Sequence, residues 1–114
     1  MPKNGKYHVY LLRCEGGELY AGITTDLERR FAEHASGGPK GARYTRTHPP
    51  VRYEATWDVP GRAAASALEY RLKRLTHAQK EAVAADPTAA YELIGDALLQ
   101  AVAACVIADA IAGN

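Results

Sequence analysis

Alternation of apolar and polar residues predicts three β-strands in the first half of the chain. The predicted strands cover residues 7–14, 19–24 and 51–58. The first is rich in aromatic and branched side chains, and alternate positions lie on one face, namely His8, Tyr10, Leu12 and Cys14. Glu15-Gly16-Gly17-Glu18 predicts a tight turn after it, because glycine reaches the positive φ angles that a reversal requires. The first two strands should therefore form a hairpin.

Apolar residues that recur every three or four positions predict four helices. Thr25 and Glu28 have the spacing of a capping box and predict the start of the first helix, which should end at Ser36-Gly37-Gly38-Pro39. The other three are predicted over 62–75, over 77–85, and from Asp86-Pro87 towards Ile111. The stretch from Lys40 to Pro50 has no clear period. The predicted order is β-β-α-β-α-α-α, an α+β fold with a three-stranded antiparallel sheet flanked by helices.

The charge distribution divides the chain at residue 87. The 114 residues suffice for one compact domain, and 14 basic against 13 acidic residues give a net charge of +1. Residues 1–87 carry all 14 basic and ten acidic residues, a net +4, whereas 88–114 carry three acids and no base. A basic domain over 1–87 is thus followed by an alanine-rich acidic helix. Its apolar stripe should pack on the domain or mediate a homodimer, and consists of Tyr91, Ile94, Leu98, Leu99, Val102, Cys105 and Val106.

Cysteine use and hydropathy limit the class of protein further. Cys14 and Cys105 are too few and too far apart for a disulfide framework. The N-terminal residues contain no apolar signal-peptide core, and the longest uncharged apolar stretch, 97–108, is shorter than the roughly 20 residues of a membrane-spanning helix. We therefore expect a cytoplasmic protein with no membrane partner.

Several residues have the order and spacing that are typical of a known family. Val9-Tyr10-Leu11 on the first strand and Tyr20-Ala21-Gly22 on the second are followed by Arg30 and His34 on the first helix and by Glu69 on the second. In this arrangement the chain resembles the GIY-YIG nuclease superfamily over about residues 7–85. It is most similar to the small stand-alone bacterial branch of that superfamily.

The chain also departs from the family pattern. Tyr10 alone remains of the first triplet's consensus, and Ala21 replaces the central isoleucine of the second. Many members carry an asparagine about a dozen residues beyond the glutamate, where this chain has Glu81. That difference bears on how the leaving-group side of the site is organised.

The resemblance implies an endonuclease that hydrolyses phosphodiester bonds of DNA, in repair or processing. Glu69 would bind the metal, since its hard oxygen suits Mg²⁺ (or Mn²⁺), and one ion is expected because no second carboxylate accompanies it. Arg30 would contact the scissile phosphate with its forked guanidinium, and His34 would exchange a proton near neutral pH. One of Tyr10 and Tyr20 would orient or deprotonate the water, with Tyr20 favoured. The family pattern adds Gly22 as a backbone position and Tyr44 as a further site position.

The sequence leaves alternative roles open for the charged residues and for the protein as a whole. Taken singly, Arg30 could pair with Asp26, and Glu69 could pair with Lys73, each at i, i+4. Basic residues of the unpatterned stretch and the third strand are either a solvated surface or contacts to backbone phosphates: Lys40, Arg43, Arg46 and Arg52. A catalytically silent nucleic-acid-binding or protein-interaction module is the rival function. RNA is a second candidate substrate, and a partner protein could supply specificity because the chain has no separate recognition module.

Overall fold

The computed structural model describes residues 6–37, 43–86 and Leu93, and it confirms the α+β class. Its elements follow in the order β1 (Tyr7–Cys14), β2 (Leu19–Thr24), α1 (Leu27–Ser36), α2 (Arg43–Thr47), β3 (Pro50–Val59), α3 (Arg62–Lys73) and α4 (His77–Ala85). The three strands and the helices at 62–75 and 77–85 agree with the sequence prediction to within two residues at each end. Helix α2 was not predicted, since its five residues are too few to show a helical period.

The strands form an antiparallel sheet in the order β2-β1-β3. Strand β1 is central, with Tyr10 opposite Gly22 of β2 on one side and Thr56 of β3 on the other. A register shift between Leu11 and Leu12 leaves Glu54 of β3 without a partner on β1, as in a β-bulge. Strands β2 and β3 are therefore the two opposite edges of the sheet.

Alternation along β1 builds a core on each face of the sheet. Val9 and Leu11 point to one face, where they pack with Trp57 of β3 and with residues of α3 and α4 including Leu68 and Val83. Tyr10, Leu12 and Cys14 point to the other face, beside residues from α1, α2 and β3: Leu27, Phe31, Tyr44 and Tyr53. Each large apolar side chain removed from water stabilises the fold by about 1.5–3 kcal/mol. The sheet is thus a middle layer between α1/α2 and α3/α4.

The ends of α1 show one confirmed and one wrong prediction. Asp26, not Thr25, is the N-cap, and its carboxylate accepts a hydrogen bond of 3.1 Å from the backbone N–H of Arg29. The prediction from Thr25 and Glu28 was therefore one residue early, because aspartate is at least as good a cap as threonine. Gly37 ends the helix with a φ of 67°, which agrees with the predicted stop.

The predicted acidic helix lies almost wholly outside the described residues, together with its apolar stripe. Leu93 is described, and it packs against the core beneath α3 and α4. Within the described part of the chain, no helix has both the length and the apolar character needed to cross a bilayer.

Candidate active site

Tyr10 is the buried centre of the candidate site. Its side chain is 1% exposed, and its hydroxyl lies 2.9 Å from Nε2 of His34. The guanidinium of Arg30 donates a hydrogen bond to the same hydroxyl. Burial raises the pKa of Tyr10 to about 12, and the nearby positive charge of Arg30 offsets this only in part. Tyr10 therefore stays protonated at neutral pH and holds Arg30 in place.

Gly22 leaves the space that the Tyr10 ring occupies. A Cβ at this position would lie 2.3 Å from Oη and 2.5 Å from Cζ of Tyr10, distances that real Cβ atoms do not tolerate. The glycine of the second triplet and the tyrosine of the first are thus one packing unit across the β1–β2 pairing. This gives Gly22 a steric role rather than a chemical one.

His34, which was expected to exchange a proton near neutral pH, is a buried residue. It is 0% exposed, and its Nδ1 lies 2.8 Å from Oγ1 of Thr45 on α2. Burial, with a smaller contribution from the charge of Arg30, lowers the pKa of His34 to about 4. The imidazole is therefore neutral at pH 7 and connects Tyr10 of β1 to α2 through its two ring nitrogens.

A cleft of about 420 Å³ at the edge of β2 brings Arg30 and Glu69 together. Arg30 comes from α1 on one face of the sheet, and Glu69 comes from α3 on the other, so the two meet where β2 leaves the edge uncovered. Arg29, Glu33 and Arg62 also line this cleft, which we call the first cleft. It combines three guanidinium groups with two carboxylates, and guanidinium groups are suited to binding phosphate oxygens.

Glu69 is the less engaged of the two carboxylates that line the first cleft. Its side chain is 25% exposed, and its ion pair with the exposed Lys73 is loose, at 3.5 Å. Glu33 is engaged by Arg30 at 3.0 Å and by Arg29 at 3.6 Å. Among the described residues no group of three or more metal-ligating side chains occurs. One carboxylate with room for water fits a single Mg²⁺-like ion, which keeps most of its waters in proteins.

Tyr20 lines a separate, second cleft of about 220 Å³ farther along β2. Its ring meets His34 edge-on at 5.7 Å between centroids, and it lies nearly parallel to the ring of Tyr44 at 6.3 Å. Tyr44 in turn stacks on His48 at 4.1 Å. Tyr20 is thus the more accessible of the two tyrosines, while the structure places Tyr10 behind the surface.

Of the basic residues singled out from sequence, the two whose side chains the structure describes, Arg46 and Arg52, line neither cleft. Arg52 lies on β3, the opposite sheet edge from β2, where it pairs with Glu54. Arg46 is exposed on α2, whereas Lys40 and the side chain of Arg43 lie outside the described residues. Arg30 was predicted, but the other cations that line the clefts were not named as site residues: Arg29, Arg62, Lys73 and Lys80.

A sequence signal for part of this set existed. Arg62, Glu69 and Lys73 are spaced at i, i+7 and i+11, so they lie along one face of α3. The charged face of α3 therefore lines the two clefts, and its apolar face packs in the core. Lys80 has no such signal because it reaches the second cleft from a different helix.

Glu81, which stands where many family members carry asparagine, has a structural partner. Its Oε1 accepts a hydrogen bond of 2.7 Å from Nη2 of Arg13 on β1, and this contact lowers the pKa of Glu81. Arg13 also pairs with Glu54 at 3.5 Å. The position thus ties α4 to the sheet and lines neither cleft.

A sheet of three antiparallel strands, with a tyrosine and a glycine packed across β1 and β2 and with arginine and glutamate meeting at its edge, defines a nuclease-type domain. The family model of the GIY-YIG catalytic domain matches residues 6–82. The chain belongs to the GIY-YIG family.

UPF0213 proteins are among the relatives that match over most of the domain. One from Xanthomonas axonopodis pv. citri is 52% identical over 87 residues, covering 75% of this chain and 83% of the relative. One from Halalkalibacterium halodurans is 43% identical over 86 residues, covering 75% and 89%. The solution NMR structure of a UPF0213 protein from Bacillus halodurans is 44% identical, covers 70% of this chain and 83% of that one, and has a TM-score of 0.45.

Proposed function

We propose that this protein is a metal-dependent endonuclease that hydrolyses phosphodiester bonds of DNA at the first cleft. The observation that carries the proposal is the meeting of Arg30 and Glu69 in one cleft, although they come from helices on opposite faces of the sheet. The GIY-YIG family model, which matches over both residues, supports the same function.

Arg30 is the proposed phosphate-binding residue. Its guanidinium is held by Tyr10 and by Glu33, so two anchors fix its direction before substrate arrives. A fixed, permanently charged donor stabilises developing negative charge more strongly than a mobile one, because it does not have to reorganise during the reaction. Arg30 pairs with Glu33 at 3.0 Å.

Glu69 is the proposed ligand of a single Mg²⁺ or Mn²⁺ ion. When bound, such an ion would supply Lewis-acid stabilisation of the phosphate oxygens. Arg29 and Arg62 lie in the same cleft as Glu69 and would contact the phosphates on either side.

Tyr20 is the proposed residue that orients or deprotonates the attacking water. Tyr10 is unsuited to this role, since burial raises its pKa to about 12 and its hydroxyl is already bonded to His34 and Arg30. We assign Tyr10 to positioning Arg30. Tyr20 is half-buried and lines the second cleft, next to the first along β2.

The test is cleavage of a panel of labelled substrates: single-stranded, duplex and branched DNA, and matching RNA, with Mg²⁺, with Mn²⁺ and with EDTA. We expect metal-dependent cleavage of DNA by the wild type and a loss of at least about 100-fold in Glu69→Gln. Glu28→Gln is the matched control, because Glu28 is an exposed acid on the first turn of α1. Cleavage by Glu69→Gln at the wild-type rate, with Glu28→Gln unchanged, would overturn the proposal.

A catalytically silent nucleic-acid-binding module is the second candidate. The observation in its favour is Glu81, which Arg13 engages where many family members have asparagine. This candidate predicts salt-sensitive DNA binding that persists in Glu69→Gln, with no metal-dependent cleavage of any substrate in the panel. RNA cleavage with DNA left intact would keep the chemistry and change the substrate. A protein partner that supplies specificity would show as cleavage confined to extracts or complexes containing it.

A further inference from the structure

We infer that the second cleft is a nucleotide subsite, which holds one unstacked base against Tyr44 and Tyr20 and the adjoining phosphate at Lys80 and Lys73. The inference rests on the proposed function and deepens it, because it specifies a substrate strand that is unpaired beside the scissile phosphate. Tyr20 has a role in the chemistry assigned above, whereas Tyr44, His48 and the two lysines have none.

The first observation is the arrangement of parallel rings. His48, Tyr44 and Tyr20 lie within 8° of parallel, with centroid separations of 4.1 Å and then 6.3 Å. The first separation is that of a filled stack, whereas the second exceeds ordinary stacking contact. The cleft opens at this wider step, since Tyr20 and Tyr44 both line it. Flat aromatic faces at an accessible site are the surface on which single-stranded bases stack.

The second observation is the charge of the cleft wall. Lys80 of α4 and Lys73 of α3 line the same 220 Å³ space as the rings, and the Lys73 side chain is 52% exposed. Nζ of Lys80 lies 3.5 Å from the carbonyl oxygen of Leu19, at the beginning of β2. Glu18 is the acidic residue of this cleft, at the turn end. An aromatic wall beside ammonium groups matches a nucleotide better than it matches an apolar peptide, because a nucleotide supplies both a base for the rings and a phosphate for the ammonium groups.

The third observation is that neighbouring residues of β2 line the two clefts. Ile23 and Thr24 line the first cleft, and Leu19, Tyr20 and Ala21 line the second. At about 3.3 Å per residue, Tyr20 and Thr24 are separated by roughly 13 Å, within reach of a nucleotide adjoining the scissile phosphate. The cations at the clefts form a track from Arg62 to Lys80 on the β2 edge. A duplex keeps its bases stacked inside, so only an unpaired or extruded base would reach Tyr44.

The test measures binding in EDTA, where a metal-dependent enzyme does not cleave, with a fluorescein-labelled single-stranded DNA dodecamer. A series of dodecamers, each with one abasic nucleotide, locates the position whose base contacts the protein. We expect Tyr44→Leu to weaken binding about ten-fold and Tyr44→Phe to bind like the wild type, because a base stacks on the ring and not on the hydroxyl. One abasic position should weaken wild-type binding and have no effect in Tyr44→Leu.

The phosphate contact of Lys80 is tested by the salt dependence of DNA binding. Lys80→Gln should lower the slope of log affinity against log salt by about 0.7, the loss of one phosphate contact to a single strand. Arg74→Gln is the matched control, since its guanidinium lies over the exposed ring of Tyr70 and it lines neither cleft. An unchanged slope in Lys80→Gln, or an equal decrease in both variants, would contradict the subsite.

Other outcomes separate the subsite from the proposed function. Three results would each overturn the subsite while leaving cleavage untouched. They are equal DNA affinity of Tyr44→Leu and wild type, equal loss of affinity in Tyr44→Phe and Tyr44→Leu, and wild-type binding that no abasic position weakens. The expected binding pattern without cleavage in Mg²⁺ or Mn²⁺ would refute the nuclease and support the subsite. If Tyr44→Leu fails to fold, the abasic series on the wild type with Tyr44→Phe and Lys80→Gln decides the question.

Discussion

Replacement of Gly22 by alanine should destabilise the protein through one identified clash. The new Cβ would lie 2.3 Å from Oη, 2.5 Å from Cζ and 3.0 Å from Cε1 of Tyr10. The Tyr10 ring has no open space to move into, because it is 1% exposed and packs edge-on against Tyr53 at 5.1 Å. Relief therefore requires a shift of roughly 1 Å in the ring or in strand β2.

The magnitude follows from the two interactions that this shift disturbs. Overpacking in a core costs about 1–3 kcal/mol. Displacement of the hydroxyl weakens its 2.9 Å contact to buried His34, which adds about 1 kcal/mol. We expect Gly22→Ala to lower the free energy of unfolding by about 2–4 kcal/mol, a large part of the 5–15 kcal/mol of a typical domain.

Urea unfolding of Gly22→Ala, Tyr10→Phe and the double variant measures this effect and its cause. Tyr10→Phe removes the nearest atom of the clash, so the double variant should be more stable than the sum of the single effects predicts, by about 1 kcal/mol. Gly61→Ala is the control, since nothing lies within 4 Å of a Cβ there, and its loss should stay near the N-cap cost of about 1 kcal/mol. Wild-type stability of Gly22→Ala, or strictly additive effects, would refute the steric role.

Three further predictions follow from the buried hydrogen bonds and ion pairs. The folded pKa of His34 is about 4 against 6.5 unfolded, so the unfolded state takes up the proton first and stability should fall by about 2–3 kcal/mol between pH 7 and pH 4.5. Urea midpoints measure this fall, an NMR titration assigns it to His34, and an imidazole that titrates near 6.5 would contradict it. Tyr20→Phe should reduce the cleavage rate about 100-fold or more at unchanged stability. Tyr10→Phe should instead cost about 1–3 kcal/mol of stability, because it removes the hydroxyl that a ring nitrogen of His34 contacts. The reverse pattern in rate and melting assays would exchange the two roles. Arg13→Met should destabilise by about 2 kcal/mol since it leaves the largely buried Glu54 without one of its cations. Arg71→Gln, at an exposed position of α3, should change the melting temperature little, and equal effects of the two substitutions would contradict the role of the ion pair.

The elements were predictable from sequence because their signals are local. Alternation in β1 and the positive φ of Gly16 and Gly17 fix the hairpin within a few residues. Helix α2 was not predictable in the same way, since its position depends on contacts across the fold. Thr45 is buried there against His34, a residue eleven positions earlier in the chain.

The types of site residue were predictable, but their roles were not. Arg30 and His34 are one turn apart and look equivalent in sequence, yet Arg30 reaches the first cleft and His34 is completely enclosed. The position of Arg52 was not predictable either, because it depends on the strand order, in which β3 pairs with the side of β1 opposite to β2. Proton exchange at His34 and phosphate contact at Arg52 were expected from residue chemistry, and the structure encloses the first residue and places the second on the sheet edge opposite β2.

The clearest test of the account is the rate of DNA cleavage as a function of Mg²⁺ concentration for the wild type and Glu69→Gln, with both proteins shown to be folded by unchanged melting curves. A single ion at Glu69 predicts that the wild-type rate rises hyperbolically with Mg²⁺, is abolished by EDTA, and falls at least about 100-fold in Glu69→Gln at every concentration. Cleavage that persists in EDTA, or that is equal in the two proteins, would contradict the central claim that Arg30 and Glu69 form a metal-dependent hydrolytic site.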